Sequence, residues 1–547
     1  MRPGGVAAAL VLLSGLLVAV ASSTAAPTAD ASVASASVTA APAGAPEFVT
    51  VDVRDNVFMP KTIEVDPGTV VRWVNGGRNR HNVKPDAGTA FGSRNLRTGQ
   101  SYSFEFEKPG TFGYYCSLHG APGKGQHGTV VVGDSGYAGD DDDVLGARDD
   151  AAPVIAASGH VIDVPSDAKT IQAAVDRAEP GDLVLIAPGV YKESVTVSTD
   201  GVVLRGVDRN RTILDGEFKR ENGVKVVGAD GVAIENLTAR NYTFNGFYWT
   251  GVLGYRGSYL TAYRNGDYGL FAFDSQWGTF EHSYASGSPD SGFYIGQCNP
   301  CHAVIDDVLA EHNQLGYSGT NASGDLHIVQ SVWRSNRAGI VPNSLDSEAL
   351  APQADAVIAA NRVEGSGTSS DRAAGSGGGF DVVFGSGIAL VGGSDDQIVG
   401  NAITDSATVG IAIAPNPGLL GNSPYPAAGN TVRGNTVERS GVADLAVVLP
   451  APDDANCFAG NTFTSSAPTG IEALLPCGAP ATSDPATAPG GLDVATFLDV
   501  GKNPAGTPYK QTPVPPKQRN LPKAKTAKAR PAGAPVVPTL ASLRVPS

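Results

Sequence analysis

Strand-like segments recur about every 20 to 30 residues through the middle of the chain, and this period limits the fold more than any other feature of the sequence. Each segment is followed by an Asn or Gly turn and then by a second short apolar run, as at residues 269–273 and 292–295. A unit of this size cannot bury its own apolar face, so neighbouring units must stack and share one core. The period therefore predicts a solenoid that continues to about Leu475. The repeats begin at Val232, Ser258, Gly278, Ala303, Leu326 and Asp355.

A short helical pattern precedes the repeats. Apolar residues fall at helical spacing in residues 170–178, and a Pro-Gly-Asp turn then leads into an apolar run at residues 183–191. This helix, turn and strand resembles the N-terminal cap of pectinase-like right-handed parallel β-helices. The resemblance implies that residues 160–477 form a right-handed, single-stranded parallel β-helix with the helix covering its open end. Asparagines near the turns fit stacked polar ladders: Asn265, Asn313, Asn336, Asn361 and Asn401.

A second all-β unit is predicted upstream of the repeats. Short β-branched or aromatic runs separated by Gly, Pro, Asn and Asp fill residues 48–132, which is typical of a sandwich. One short loop is predicted between the last two runs, and in it Cys116 and His119 stand three positions apart, a spacing suited to metal ligands. His81 is the only histidine ahead of Cys116 and is the natural second imidazole. Thiolate and imidazole suit copper or zinc, and two histidines, one cysteine and a weak axial ligand form the blue-copper arrangement.

The motifs of this unit resemble those of the plastocyanin/azurin-type cupredoxins. The resemblance covers residues 46–133, and it implies a Greek-key sandwich with one mononuclear type 1 copper site rather than a zinc site. The whole chain is therefore expected to be all-β. The matching residues are Phe58, Pro60, Gly68, Val71-Arg72-Trp73-Val74-Asn75, His81-Asn82, Cys116-x-x-His119 and a final Gly-Thr-Val-Val-Val strand.

The axial position departs from the usual methionine of this family. Members with a methionine ligand place it two residues before the glycine that opens the last strand, and Gln126 occupies that place here, while His127 stays open as an alternative. The two methionines, Met1 and Met59, lie elsewhere. An axial oxygen is expected to favour Cu(II) and to lower the reduction potential. The resemblance thus implies four ligands: His81, Cys116, His119 and Gln126.

Four further cysteines need an assignment. Cys457 and Cys477 stand near the end of the predicted coil and suit a disulfide in an oxidising compartment. Cys298 and Cys301 form a C-x-x-C motif, for which a structural disulfide is the favoured interpretation. A redox pair, or a second metal site with His302 and His282, stays open as an alternative.

Both ends of the chain, and the segment between the two predicted domains, have biased compositions. Residues 1–21 have the pattern of a secretory signal that ends in an A-x-A site, so a secreted, extracellular or periplasmic protein without a stable membrane span is expected. Residues 22–45 are predicted to be a disordered tether and residues 134–159 an acidic linker. Residues 478–547 are predicted to be a disordered tail rich in Pro, Ala and Lys. The net charge of −15 argues against nucleic acid as a partner.

The repeats show no recognisable catalytic set. Residues 189–193 resemble a segment of pectin methylesterases and Asp381 weakly resembles their nucleophile, but the other active-site segments of that family have no counterpart. A binding coil is therefore favoured over an enzyme. Aromatic side chains either line a sugar groove or stack inside the coil, and the sequence does not decide between these. They are Tyr248, Trp249, Tyr255, Tyr263, Tyr268 and Trp277.

Two functions of different class fit these features. The first is a secreted blue-copper electron carrier whose coil docks it to a redox partner protein or to a polysaccharide or envelope polymer. The second is a copper-handling or delivery protein, since periplasmic β-helix proteins that resemble the nitrous oxide reductase maturation factor serve copper-site assembly. A lyase or esterase on the coil, with the copper unit as an added module, is a further alternative.

Overall fold

The computed structural model describes residues 48–77, 79–133, 150–375, 383–418, 423–450, 456–480, 484–498 and 505–547. The described residues fall in one compact unit, Glu47–Ser547. Within it, residues 48–133 form a two-sheet body, here the sandwich, and residues 161–477 form a stack of parallel strands, here the coil. The predicted signal and tether, residues 1–45, lie outside the described residues.

Two four-stranded sheets make the sandwich. Its strands are β1 Phe48–Arg54, β2 Val57–Met59, β3 Thr62–Val65, β4 Thr69–Asn75, β5 Lys84–Pro85, β6 Ser101–Phe106, β7 Gly110–Ala121 and β8 Lys124–Val132. The sheet orders are β2-β1-β4-β6 and β3-β8-β7-β5. Trp73 is fully buried between them and meets the ring of Tyr114 edge-on at 5.2 Å. The predicted cupredoxin-like sandwich is confirmed.

The metal motif lies in a hairpin, and the sequence interpretation of it as a loop between two strands was wrong. Strands β7 and β8 continue past Cys116, with an irregularity in register between Tyr115 and Gly120. Gly120 pairs with Gly125 across the hairpin, where a Cβ at Gly120 would lie 2.7 Å from the Gln126 carbonyl oxygen. The close approach of the two backbones therefore requires glycine at this position.

Three parallel sheets form the coil, so the predicted parallel β-helix is confirmed. The first sheet comprises Val161–Val164, Leu183–Ile186, Val203–Gly206, Val232–Glu235, Leu253–Ser258, Gln276–Glu281, Ala303–Asp306, Leu326–Val329, Ala356–Ala359, Gln397–Val399, Thr431–Arg433 and Cys457–Ala459. The second comprises Gly189–Tyr191, Thr212–Asp215, Thr238–Arg240, Thr261–Tyr263, Tyr284–Ser286, Leu309–Glu311, Val332–Arg334, Arg362–Glu364, Ala402–Thr404 and Thr436–Glu438. The third comprises Val195–Val197, Val224–Val227, Phe247–Thr250, Leu270–Phe273, Ser291–Gly296, Leu315–Thr320, Ala338–Asn343, Ile388–Val391, Val409–Ala414, Ala443–Leu449 and Ser466–Ala467, with Leu492–Asp493 paired to Ala443–Leu449.

Short helices and one small hairpin complete the described structure. The predicted cap helix runs over Ile171–Val175, and the hydroxyl of its N-cap Thr170 accepts a hydrogen bond from Ala173 N. Helices also run over Ile471–Leu474 and Val494–Leu498, 3-10 turns over Tyr509–Gln511 and Leu540–Ser542, and Asn416–Pro417 pairs with Pro424–Tyr425. Among the described residues, no helix is long and apolar enough to span a membrane.

Buried asparagines form the predicted ladder along the coil. Asn361 Nδ2 donates to Asn401 Oδ1 at 3.0 Å, and Asn401 Nδ2 donates to Asn435 Oδ1 at 2.9 Å. Each of these side chains also donates to a backbone carbonyl of a neighbouring rung, as Asn401 does to Ile358 O at 2.9 Å. The ladder thus satisfies polar groups that stacking removes from water.

The predicted disulfides are both present. Cys298 is bonded to Cys301 and Cys457 to Cys477. The interpretation of Cys298 and Cys301 as free metal ligands has no support here, because the two sulphurs are bonded to each other and both residues are fully buried.

Five of the six aromatic residues considered for a sugar groove are buried, and Trp277 is partly exposed. Trp249 and Tyr255 belong to the central core, while Tyr248 and Tyr268 pack with the ring of Phe271 outside the third sheet. All four are at most 3% exposed, so they offer no open sugar-binding face.

The expected disorder of residues 478–547 is contradicted in every part of that stretch that is described. Residues 505–547, here the strap, lie along the coil in extended form. Arg205 Nη2 donates to Lys528 O at 3.0 Å, and Arg256 Nη2 donates to Arg530 O at 2.6 Å. Amino-acid composition indicates only whether a segment can bury enough of its own apolar surface to become ordered. The strap is ordered by donors that the coil supplies.

Part of the predicted acidic linker is also packed. Residues 134–149 lie outside the described residues, but residues 150–159 run beside the first rungs of the coil. Trp277 Nε1 donates to Asp150 O at 2.8 Å, and Ser158 N donates to Gly181 O at 3.0 Å. These ten residues are therefore part of the coil's surface and not a free linker.

Hydrogen exchange tests the strap. Asn210 holds Gln518 through two bonds of 2.8 Å, one to its backbone N–H and one to its carbonyl. Asn210→Ala removes both, so exchange in the peptide containing Gln518 is expected to accelerate by roughly thirtyfold, since two bonds of about 1 kcal/mol each are lost. Arg211→Ala, which removes an exposed neighbour paired with Asp208, is the control. Random-coil exchange of the strap in the unaltered protein would contradict its docking.

Candidate metal centre

Four side chains from separate parts of the sandwich meet at one end of it. Cys116 and His119 stand on β7 and Gln126 on β8. His81 lies between β4 and β5, where its backbone N–H donates to Leu96 O at 3.1 Å. The four residues are between 0% and 3% exposed, so their polar atoms are removed from water.

The polar atoms of these side chains point at a common centre. The Nδ1 atoms of His81 and His119 are 3.1 Å apart, and Cys116 Sγ lies 3.9 Å from the first and 3.5 Å from the second. Gln126 Oε1 lies 2.8 Å from His81 Nδ1 and 3.2 Å from His119 Nδ1. The structure thus brings together all four residues that the sequence singled out.

The orientation of the Gln126 amide is fixed by the backbone. Its Nε2 donates to Arg54 O and to Val57 O, each at 3.1 Å. The carbonyl oxygen Oε1 must therefore face the two imidazoles. His127, the alternative axial candidate, points to the other side of β8, where its Nδ1 donates to Gly125 O at 2.9 Å. The geometry favours Gln126 over His127.

Asn82 forms hydrogen bonds with Cys116 and with the residue that follows it. Its backbone N–H donates to Cys116 Sγ at 3.3 Å, and its side-chain Oδ1 accepts from Ser117 N at 2.8 Å. The side-chain Nδ2 donates to Asn95 Oδ1 at 2.9 Å, which fixes the amide. The N–H bond to sulphur stabilises the thiolate form.

Asp55 is a functional residue that the sequence analysis missed. It lies in the turn between β1 and β2, is 1% exposed, and its Oδ1 lies 3.3 Å from His81 Nε2. A carboxylate on the outer nitrogen of a histidine fixes the tautomer and turns the inner nitrogen to the metal. No local motif marks Asp55, because its partner is 26 residues away in sequence.

Electrostatics favour an ionised cysteine. Burial raises the pKa of Cys116, but His119 and His81 outweigh this and hold the pKa well below its ordinary value. Burial lowers the pKa of His81, yet Asp55 and the Cys116 thiolate raise it to about 9. Burial dominates at His119 and lowers its pKa. A thiolate is the form of cysteine that binds metal.

One metal ion fits this arrangement. Metal bonds of about 2.0 Å to imidazole nitrogen and about 2.3 Å to thiolate sulphur place two ligand atoms of one ion roughly 3 to 4 Å apart. The gaps among the two Nδ1 atoms and Sγ fall in that range, and the three atoms lie within 4.8 Å of one another. Two imidazoles, a thiolate and a weak oxygen ligand form a blue-copper set.

The coil contributes to this end of the sandwich, which the sequence analysis did not foresee. The rings of Phe244 and Tyr248 meet the His119 ring edge-on, with centroids 6.5 Å and 6.4 Å away. Lys225 donates to two carbonyls of the hairpin. These contacts join residues more than 100 positions apart, and no sequence pattern carries such information.

Comparisons with known proteins match the sandwich. A family of copper-binding proteins, the plastocyanin/azurin family, matches residues 47–133. Plastocyanin from Scenedesmus fuscus is 33% identical over 86 residues, 14% of this chain and 86% of that protein. Amicyanin-alpha from Methylorubrum extorquens is 32% identical over 83 residues, 14% of this chain and 67% of that protein.

Two solved structures are also similar. The A-module of the mannuronan C-5 epimerase AlgE6 from Azotobacter vinelandii covers 54% of this chain and 94% of its own, at 18% identity and a TM-score of 0.40. A purple cupredoxin from Nitrosopumilus maritimus covers 15% of this chain and 98% of its own, at 27% identity and a TM-score of 0.14.

Substitution of the axial candidate tests the ligand set. Gln126→Met replaces an oxygen with a thioether, which stabilises Cu(I), so the reduction potential is expected to rise in voltammetry. The variant also removes the two hydrogen bonds that Gln126 Nε2 donates to Arg54 O and Val57 O, at a cost of about 1 kcal/mol each in unfolding free energy. His127→Ala is the matched control and should leave the potential unchanged. A potential that responds to His127 and not to Gln126 would reverse the assignment.

Proposed function

The chain belongs to the plastocyanin/azurin family of copper-binding proteins through residues 47–133, and on that basis we propose that it is a secreted blue-copper electron carrier. The convergence of His81 Nδ1, His119 Nδ1, Cys116 Sγ and Gln126 Oε1 within one buried end of the sandwich carries the proposal. When bound there, copper supplies a one-electron couple between Cu(II) and Cu(I).

The residues around the ligands suit electron transfer. Asp55 and the backbone carbonyls that hold Gln126 fix two ligands before any metal arrives. Asn82 fixes a third, Cys116, through its backbone N–H. A ligand set held by such partners changes little between the oxidised and reduced metal, which keeps the reorganisation cost low. The axial oxygen favours Cu(II), so a low reduction potential within the family is expected.

The coil is proposed to dock this carrier to an extended polymer or to a partner protein. Arg205 and Glu235 of its first sheet are buried where the strap lies, so docking is proposed at the outward acids that stay partly exposed, Glu281 and Asp306. The strap supports this role, because it is an extended segment held against the coil, with its Arg519 paired to Asp307 at 2.7 Å. The signal pattern of residues 1–21 supports export of the protein.

Copper delivery is the weaker alternative. Transfer of Cu(I) to an acceptor requires that incoming ligands reach the metal. The three strong ligands are at most 3% exposed, and Phe244 and Tyr248 cover His119. Burial of this kind favours a metal that stays in place while electrons move.

Loading the full chain with Cu(II) tests the carrier. An intense visible absorption from the thiolate-to-Cu(II) transition is expected, together with reversible reduction by ascorbate. Cys116→Ser should abolish the absorption, because Cys116 is the free cysteine of the described residues. A thiol count of one in the denatured, metal-free protein is the control, since the other four cysteines are paired.

A colourless copper complex would contradict the proposal. Copper bound at freed Cys298 and Cys301 would instead support a second site and the delivery alternative. Rapid transfer of Cu(I) from the loaded protein to a competing protein acceptor would point the same way.

A second experiment tests whether the coil binds without turnover. The full chain should cosediment with an insoluble plant or envelope polysaccharide and release no reducing sugar, unsaturated product or methanol. An enzyme on this fold needs clustered acids or bases placed to stabilise charge. Asp381, the weak esterase candidate, lies outside the described residues. Turnover of pectin that disappears in Asp381→Ala would overturn the binding role.

A further inference from the structure

Two side chains of the coil donate hydrogen bonds to β7, the strand that carries Cys116 and His119. Lys225 Nζ donates to Ser117 O and to Gly120 O, each at 3.1 Å. Tyr248 Oη donates to His119 O at 3.2 Å. Both donors come from the coil and all three acceptors from β7, so the contact is directed at one short segment of the sandwich.

The position of Lys225 relative to the ligands is specific. Ser117 directly follows Cys116, and Gly120 directly follows His119. One ammonium group therefore ties together the two backbone positions that come after the thiolate and the imidazole. Ser117 lies within the irregular register of the hairpin between Tyr115 and Gly120, where the β7–β8 ladder has no paired residues, and Gly120 is the first paired residue after it.

The distance between adjacent strands of the coil sets the distance between the two donors. Lys225 stands on Val224–Val227 and Tyr248 on Phe247–Thr250, and the two residues pair directly across these adjacent strands. Neighbouring strands lie about 4.8 Å apart, which suits two donors to carbonyls of one short turn. Tyr248 is fully buried and its ring also covers His119, so the same face of the coil supplies both the polar and the apolar contacts.

We propose that the coil is a working part of the metal centre, in which Lys225 positions the ligand hairpin and holds a positive charge beside it that favours the reduced metal. The redox half of this inference rests on the proposed copper function. A fixed cation near a metal site stabilises the oxidation state of lower positive charge. At this site that state is Cu(I), so Lys225 acts against the axial oxygen of Gln126.

The side chain of Lys225 is well suited to this role. It is only partly exposed, and its ammonium has two carbonyl partners that compensate for lost water. A partly buried charge is screened by salt far less than a surface one. Lys124 crosses the same interface to Gly228 O at 2.8 Å but is exposed, so its charge is largely screened.

The test compares three variants of the full chain. Lys225→Met removes the charge and both bonds, Lys225→Arg keeps the charge, and Lys124→Met removes an exposed cation from the same interface. In copper-loaded Lys225→Met, the ratio of reduced to oxidised copper at a fixed applied potential is expected to fall about tenfold, which is 59 mV for one electron. Lys225→Arg and Lys124→Met should stay within about threefold of the unaltered protein.

A second readout needs no metal. In the metal-free protein, the backbone amides of residues 117–120 should exchange with solvent about tenfold faster in Lys225→Met, because two hydrogen bonds that order the hairpin are lost. Tyr248→Phe, which removes a single hydroxyl, should give a smaller increase. If Lys225→Met fails to fold, amide exchange in Tyr248→Phe decides whether the coil positions the hairpin. This readout separates positioning of the hairpin from a general loss of stability, which would speed exchange throughout the sandwich.

Either readout alone can overturn the proposal. An unchanged potential in Lys225→Met refutes the charge effect, and unchanged exchange at residues 117–120 refutes the positioning. An equal fall in potential in Lys124→Met would assign the effect to general surface charge. If the unaltered protein takes up no Cu(II) at the thiolate, the proposed copper function fails, while amide exchange still decides whether the coil holds the hairpin.

Discussion

Strand pairing between successive rungs is the interaction on which the rest of this molecule depends. A strand of the coil forms its hydrogen bonds with strands of the rungs before and after it, so a single rung has no sheet of its own. Pairing in strict register also places equivalent residues one above another on the outside of each sheet. Lys225 beside Tyr248 is one such pair, and Arg205 beside Glu235 is another. The coil contacts the sandwich and the strap through side chains that are aligned on successive strands in this way.

Buried charges follow one physical rule in both halves of the protein. Glu235 lies between Arg205 and Arg256, at 2.5 Å from each, and carbonyls of the strap accept further hydrogen bonds from both guanidinium groups. At the metal centre, the Cys116 thiolate is balanced by His81, whose outer nitrogen in turn meets Asp55. A charge taken from water must find partners, and here distant parts of the chain supply them.

The sequence predicted those features that local pattern encodes. The repeat period predicted the solenoid because stacking is the only way such units bury their apolar faces, and Cys116 with His119 predicted a metal site because three residues of spacing bring both side chains to one point. Asp55, Lys225 and Tyr248 were missed because each acts on a residue far away in sequence. The order of the strap was missed for the same reason, since its partners are arginines of the coil.

The strap also sets an order of assembly. Arg205 belongs to an early rung, yet its hydrogen bond to Ala527 O closes a span of 322 residues. During synthesis the chain emerges from its N-terminal side, so the rungs around Arg205 are complete long before their cover exists. Contacts of such long range form last because they close the largest loops. The charged face around Arg205 can therefore be covered only once the C-terminal strap has been synthesised.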